Sequence, residues 1–210
     1  MIAGSILDKN ALGIDINPKW KEIYQQVCEE NNVTPKDYLV GDSSNILKKL
    51  DGRSFDFLLT DVPYFIMDKL PRTRGKFSRA GEISKDRLHS SLNRFNDLAV
   101  SSYRDWITLL SSVSETAFDL LQGGSWILVF IGNMYRNIKQ EKEGKIVPVG
   151  QYLPLDQDAS GLLKEIGYRL YKELIWMDPA KKLGVYGYPY VWIPSMTDQR
   201  ILVFRKPIST

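Results

Sequence analysis

Apolar positions follow two periods along this chain. Ala11–Ile16 (ALGIDI) is a short apolar run that predicts a strand. Asn17-Pro18 then opens a helix, with Asn17 as its N-cap and Pro18 in the first turn. That helix runs to about Asn31, with Trp20, Ile23, Tyr24 and Val27 on one face. Tyr38–Val40 predicts a short strand closed by Gly41-Asp42, and Ser44–Leu50 a short helix. Phe55–Thr60 (FDFLLT) predicts a buried strand ending at Asp61-Val62-Pro63-Tyr64. From Phe65 to about Leu98 the pattern has little periodicity.

Tyr103–Leu121 returns to helical spacing, with Trp106, Leu109, Leu110, Val113, Ala117 and Leu120 on its stripe and Gly123-Gly124 as its stop. Ser125–Ile131 (SWILVFI) predicts a central strand. Arg136–Gly150 reads as a polar, Lys-rich loop, and Pro154–Ile166 as a helix ending at Gly167. Tyr168–Met177 and Arg200–Arg205 are the last predicted strands, separated by a Gly/Pro/aromatic loop. Strands alternating with helices predict an α/β fold with a mostly parallel sheet. Two late strands with no helix between them add an antiparallel hairpin at one edge.

The length of 210 residues suits a single domain spanning 1–210. Hydrophobic residues at 43% and charged residues at 25% mark a globular chain. No apolar run is long enough for a membrane span. Asp8 and Lys9 come too early for a signal peptide, so a cytoplasmic location is expected. One cysteine, Cys28, and one histidine, His89, exclude an intrachain disulfide and His-pair or multi-cysteine metal sites. His89 shows no partner and reads as a surface residue.

Ligands of open parallel sheets bind beyond the carboxyl ends of the strands. Three acids fall there: Asp15 in GIDINP, Asp42 in VGDSSN and Asp61 in LLTDVPYF. Alone, each is compatible with a cap or a turn. Their order and spacing argue for binding. An acid after one strand suits a ribose hydroxyl pair, and the next acid can accept from an adenine amino group.

In these motifs the chain resembles the S-adenosylmethionine-dependent amino-methyltransferases that act on adenine N6 or cytosine N4 in DNA. The family tetrapeptide [D/N/S]-P-P-[Y/F/W] reads here as Asp61-Val62-Pro63-Tyr64. GIDINPKW, GGSWILVFIG and QRILVFRKP resemble flanking family segments, so the likeness extends from about Ala11 to Pro207. It implies a Rossmann-like methyltransferase sheet and S-adenosylmethionine as cofactor. It implies that Asp15 with Asn17, and Asp42 with Ser43, bind that cofactor. It also implies that Asp61, the Val62 carbonyl and Pro63 hold the target amino group, with Tyr64 stacking on a flipped base. Two acceptors on the amino hydrogens would drive the nitrogen toward tetrahedral geometry and aim its lone pair at the methyl group. Asp61 leans the reading toward adenine N6.

Two departures stand out. Val62 replaces a proline, which leaves the carbonyl in place but relaxes the turn. Asp15 lies only fifteen residues from the start, and Gly4 precedes Gly13 by nine. Met1–Leu7 therefore aligns with the second half of the helix that normally follows the glycine-rich cofactor loop. The first strand and that loop are expected to be missing, which suggests a homo-oligomer or a partner chain that supplies the loop.

Residues 65–98 form a basic insertion beside the motif. Phe65–Asp97 carries eight cations against four acids, a net +4, while the whole chain carries +3. Lys69, Arg72, Arg74, Lys76 and Arg79 are the candidate DNA contacts. Tyr186, Tyr188, Tyr190 and Trp192 can stack on bases or pack a sheet edge, and Asn133 is a candidate pocket residue. Cys28 lies outside any Pro-Cys turn, so cysteine-nucleophile chemistry is unsupported. The alternatives kept open are a catalytically silent or half-enzyme subunit that binds DNA or a partner chain, and an RNA or protein amino-methyltransferase. A restriction-modification context fits the first reading.

Overall fold

The computed structural model describes residues 1–62, 102–142, 144–177, 185–186, 193–194 and 198–208. They fall into two compact units: Met1–Arg53 with the described part of Pro63–Ala117, and Ser54–Val62 with Phe118–Thr210.

The first unit starts with helix α1 (Ile2–Ile6), strand β1 (Leu12–Asp15), helix α2 (Pro18–Glu30), strand β2 (Asp37–Val40) and helix α3 (Ser43–Leu47). β1 and β2 pair in parallel, with Asp15 opposite Val40. Parallel neighbours need a crossover, and α2 supplies it. Asn17 caps α2 by accepting from the Lys19 amide at 3.0 Å, and Pro18 fills the first turn, where a missing N–H costs nothing. α2 buries Tyr24 and Cys28. The Tyr24 hydroxyl lies 2.6 Å from Ser5 Oγ and accepts from the Lys36 amide at 2.6 Å, tying α1, α2 and the approach to β2 together. Gly13 is required by close approach, since a Cβ there would lie 2.8 Å from both Met1 Cγ and Tyr38 Cδ2. α3 is shorter than expected: Lys48 caps its end, before the predicted Leu50.

Helix α4 (Tyr103–Leu120) buries Trp106, Leu110, Ser114 and Ala117. A reciprocal box opens it. The Asp105 amide donates to Ser102 Oγ at 3.1 Å and the Ser102 amide to Asp105 Oδ2 at 3.0 Å. The last turn of α4, from Phe118, belongs to the second unit.

The second unit is built on strands β3 (Phe55–Asp61), β4 (Leu121–Ile131), β7 (Arg169–Met177) and β10 (Asp198–Arg205), in the order β3-β4-β10-β7. β3 and β4 are parallel, while β10 runs antiparallel to both β4 and β7. Helix α5 (Leu155–Ile166) packs on β7 and β10. It ends at Gly167 (φ 119°), where the Tyr168 amide reaches the Leu163 carbonyl and the Gly167 amide that of Lys164. The core holds Ile127, Val129, Ile131, Leu202 and Phe204 from the sheet, and Leu155, Ala159 and Leu163 from α5. The Lys206 ammonium donates to the Phe118 and Leu121 carbonyls at 2.6 and 2.7 Å, satisfying groups at the end of α4.

Three expectations change. Arg136–Gly150 is not a loop: strands β5 (Met134–Lys142) and β6 (Lys145–Leu153) form an antiparallel hairpin. Its two-residue turn has Gly144 at φ 71°, the positive φ that tight hairpins require. Gly123-Gly124 does not stop α4, because β4 begins at Leu121 and runs through both glycines. Lastly, β3 is not buried. Among the described residues it pairs with β4 alone and forms an edge of its sheet, with Phe57 51% and Leu59 56% exposed. Two-residue strands β8 (Val185–Tyr186) and β9 (Ile193–Pro194) pair with each other.

Candidate functional site

In the first unit the chain turns sharply after each parallel strand, and a carboxylate holds each turn. Asp15 ends β1. Its Oδ1 accepts from the Asn17 amide at 2.8 Å, and its carbonyl from the Gly41 amide at 2.9 Å. Asp42 caps α3, with Oδ1 accepting from the Ser44 amide at 2.8 Å and the Ser44 hydroxyl at 2.7 Å. Asn45 Nδ2 approaches Asp42 Oδ2 at a weaker 3.4 Å. Gly41 adopts φ 149°, which lets the chain leave β2 and reach that cap. Asp15, Asn17, Asp42 and Ser43 therefore come together at the carboxyl ends of β1 and β2.

Ser44 and Asn45 were not anticipated. The signal was available, since an Asp followed by Ser, Ser and Asn is a turn-and-cap pattern. Tyr38, opposite Gly13 in the register, was also missed as a site neighbour. Burial, with the nearby Asp15 charge adding to it, pushes its phenol up to about 12. The phenol therefore stays neutral across the physiological range.

In the second unit Asp61 ends β3 opposite Phe130. The Val62 amide donates to the Phe130 carbonyl at 3.1 Å, and the Val62 side chain is buried. That anchors the start of the turn with a valine, rather than a proline, at this position. The Asp61 residue is open to solvent overall, yet surrounding protein atoms partly desolvate its carboxyl and raise its pKa above the usual carboxylate value. Pro63 and Tyr64 lie outside the described residues, as do Lys69, Arg72, Arg74, Lys76, Arg79 and His89. Asn133 has a structural role: its Oδ1 accepts from the Asp156 amide at 3.0 Å, at the start of α5.

An adenosine fits part of this donor set. Its vicinal hydroxyls donate to a carboxylate, and Asp15 offers one. Gly4 does not serve as a cofactor glycine. It lies within α1, where a Cβ would sit 3.0 Å from Ala11 Cβ, so it is there for packing. Among the described residues no group of three or more His, Cys, Asp or Glu side chains is placed to hold a metal, and no helix is long and apolar enough to cross a membrane.

No protein-family model matches the chain, and no curated protein matches it. Solved structures do. A methyltransferase from Pyrococcus furiosus aligns with a TM-score of 0.51 at 15% identity, over 99% of this chain and 68% of that one. A putative DNA modification methylase from Thermus thermophilus, complexed with S-adenosyl-L-methionine, aligns with a TM-score of 0.49 at 18% identity, over 81% of this chain and 53% of that one. TrmN from Thermus thermophilus aligns with a TM-score of 0.49 at 12% identity, over 97% of this chain and 39% of that one. The chain thus spans about half the length of the first solved structures it matches. Its fold is a mixed α/β, Rossmann-like methyltransferase fold.

Proposed function

We propose that this chain is an S-adenosylmethionine-dependent methyltransferase of exocyclic amino groups in DNA, with adenine N6 as the favoured target and cytosine N4 the second. One observation carries the reading. Of the four strands in parallel pairs, β1 and β3 end in a carboxylate and β2 is followed by one within two residues. Those are the ends at which open α/β sheets bind ligands.

Asp15 accepts from the ribose hydroxyls, with Asn17 fixing its carboxylate. Asp42 and Ser43 present polar atoms for the adenine. The bound cofactor supplies an electrophilic methyl group on a sulfonium. The Asp61 carboxylate and the Val62 carbonyl take the two amino hydrogens, and the nitrogen lone pair is left free to attack. Methyl transfer would form the carbon–nitrogen bond as the cofactor's carbon–sulfur bond breaks, and the proton lost from the nitrogen would pass to the Asp61 carboxylate. Pro63 and Tyr64 complete the turn and the stacking face. Lys69, Arg72, Arg74, Lys76 and Arg79 contact the phosphates. An RNA or protein substrate is the weaker reading, since family members with those substrates usually carry Asn where Asp61 stands.

A second reading is a half-enzyme or catalytically silent subunit. It is favoured by Gly4, which packs inside α1 and forms no glycine-rich turn. Two measurements decide. Calorimetric binding of S-adenosylmethionine, abolished in Asp15→Ala, supports the enzyme, and methyl transfer to DNA abolished in Asp61→Ala then identifies the amino chemistry. No binding by the folded chain alone supports the half-enzyme.

A further inference from the structure

Trp126 on β4, Arg205 on β10 and Arg169 on β7 are directly opposed across three neighbouring strands, so they share one face of the sheet. Opposed Cα atoms of an antiparallel pair lie about 5 Å apart. Two arginines at that spacing repel, and like charges directly opposed cost stability. A nearby acid would ordinarily offset the cost. Flanking this row are Gly124 and Leu128 on β4, Val203 on β10, and Tyr171 and Lys172 on β7, which add a third cation and no acid. Among the described residues neither arginine has an ion-pair partner.

Both arginines are exposed, yet Arg205 is held in place. Its Nε–H donates to the Gly124 carbonyl at 3.1 Å, and its guanidinium carbon lies 5.2 Å from the centre of the Trp126 ring. Tyr171, the extra residue at the β7 register shift, meets Trp126 edge-on at 4.9 Å. The four Nη hydrogens of Arg205 have no partner among the described residues. A charge on an edge strand discourages unwanted pairing, and that accounts for Arg169. It does not account for a second arginine opposite it on β10, which lies between β4 and β7.

We infer that Arg169 and Arg205 form a phosphate-binding site, in which two guanidinium groups share one phosphate. Charge requires an anion, and geometry selects phosphate among anions. A carboxylate has two oxygens and fills one arginine fork, whereas the oxygens of a phosphate can accept from both forks at once. The phosphate can belong to a nucleic-acid backbone or to a free phosphate ester, since the recognition chemistry is the same. Asp61 pairs with Phe130, four residues and about 13 Å further along β4 than Trp126, so the site is separate from the proposed amino acceptors.

The test is thermal melting of the full chain with inorganic pyrophosphate as probe and sodium chloride of matched ionic strength as control. Pyrophosphate at several times its dissociation constant should raise the parent's melting temperature by about 2–4 °C. The rise should vanish in Arg169→Gln and in Arg205→Gln. In low-salt buffer without phosphate, Arg169→Gln should melt at or above the parent, because it removes a repulsion. Arg205→Gln also loses its contacts with Gly124 and Trp126, so Arg169→Gln keeps the test readable if the other variant fails to fold. Anisotropy with a labelled DNA duplex across a salt series then separates the two sources. A slope of log affinity against log salt that flattens by about one in Arg169→Gln assigns the phosphate to a nucleic-acid backbone, and an unchanged slope beside the pyrophosphate effect assigns it to a free ester. No rise in the parent, an equal rise with chloride, an equal rise in Arg169→Gln, or an Arg169→Gln that melts well below the parent without phosphate would each overturn the inference. None of these readouts depends on cofactor binding or methyl transfer.

Discussion

The Asn17 amide donates to Asp15 Oδ1 at 2.8 Å, so the residue that caps α2 also orients the carboxylate that ends β1. The carboxylate is thereby held before any ligand arrives, which lowers the ordering cost of binding.

Asp15→Asn keeps an oxygen for the Asn17 amide but removes the charge. A hydrogen bond to a charged group contributes roughly 1.5–3 kcal/mol, so S-adenosylmethionine affinity should fall on the order of 10- to 100-fold. Thermal stability should change little. Titration calorimetry together with a melting curve checks both. A variant that binds as tightly as the parent would remove Asp15 from the cofactor site.

Tyr24→Phe tests the scaffold beneath that site. The hydroxyl serves both Ser5 Oγ and the Lys36 amide, and Ser5 is buried. Its loss leaves both partners short of a bond and should cost roughly 1–3 kcal/mol in a urea titration. Gly167→Ala should cost about 1–2 kcal/mol, because φ 119° suits only glycine and a Cβ would press to 3.3 Å from Phe118 Cζ.

The fold was legible where pattern and punctuation agreed. Asn17-Pro18 marked the start of α2, Gly167 the end of α5, and SWILVFI the inner strand β4. The β5–β6 hairpin was not legible. Its turn and first strand are polar and charged, and Pro148 interrupts the apolar run of its second strand. β3 misled because an apolar run encodes burial without saying which neighbour provides it. The acids of the site were legible as strand ends. Their supports are legible only in the Asp-Ser-Ser-Asn turn-and-cap pattern, because Ser44 and Asn45 act on Asp42 through local capping that hydrophobic periodicity does not register.

Asp61 should leave a signature in pH dependence. Desolvation raises its folded pKa above the unfolded value. A carboxyl shifted upward binds its proton more tightly in the folded state, so it favours folding at low pH. That contribution is lost as pH rises from the ordinary carboxylate range through the raised value. Asp61→Asn should therefore raise the melting temperature at pH 7 relative to the parent, and the gap should close below about pH 4. If Asp61 accepts the amino hydrogens as proposed, methyl transfer needs its ionised form and should begin to fail on acidification at a higher pH than an ordinary aspartate would cause. Melting curves and initial rates across the acidic to neutral range check both. A pH-independent gap would mean that the substitution acts through packing rather than charge.

The basic segment allows a test of substrate class. If Lys69, Arg72, Arg74, Lys76 and Arg79 contact phosphates, binding releases counterions, and the logarithm of affinity falls with the logarithm of salt by about 0.9 per contact. Replacing one of these cations with glutamine should weaken binding to DNA of any sequence and flatten that slope by about one. Replacing three together should flatten it by about three. Fluorescence anisotropy with a labelled duplex, across a salt series, reads both quantities. A slope that stays the same while affinity falls would mean that the cations shape the protein rather than meet the backbone. A shallow slope in the parent would turn attention from nucleic acid to a protein substrate, since only a polyphosphate backbone makes affinity so steep a function of salt.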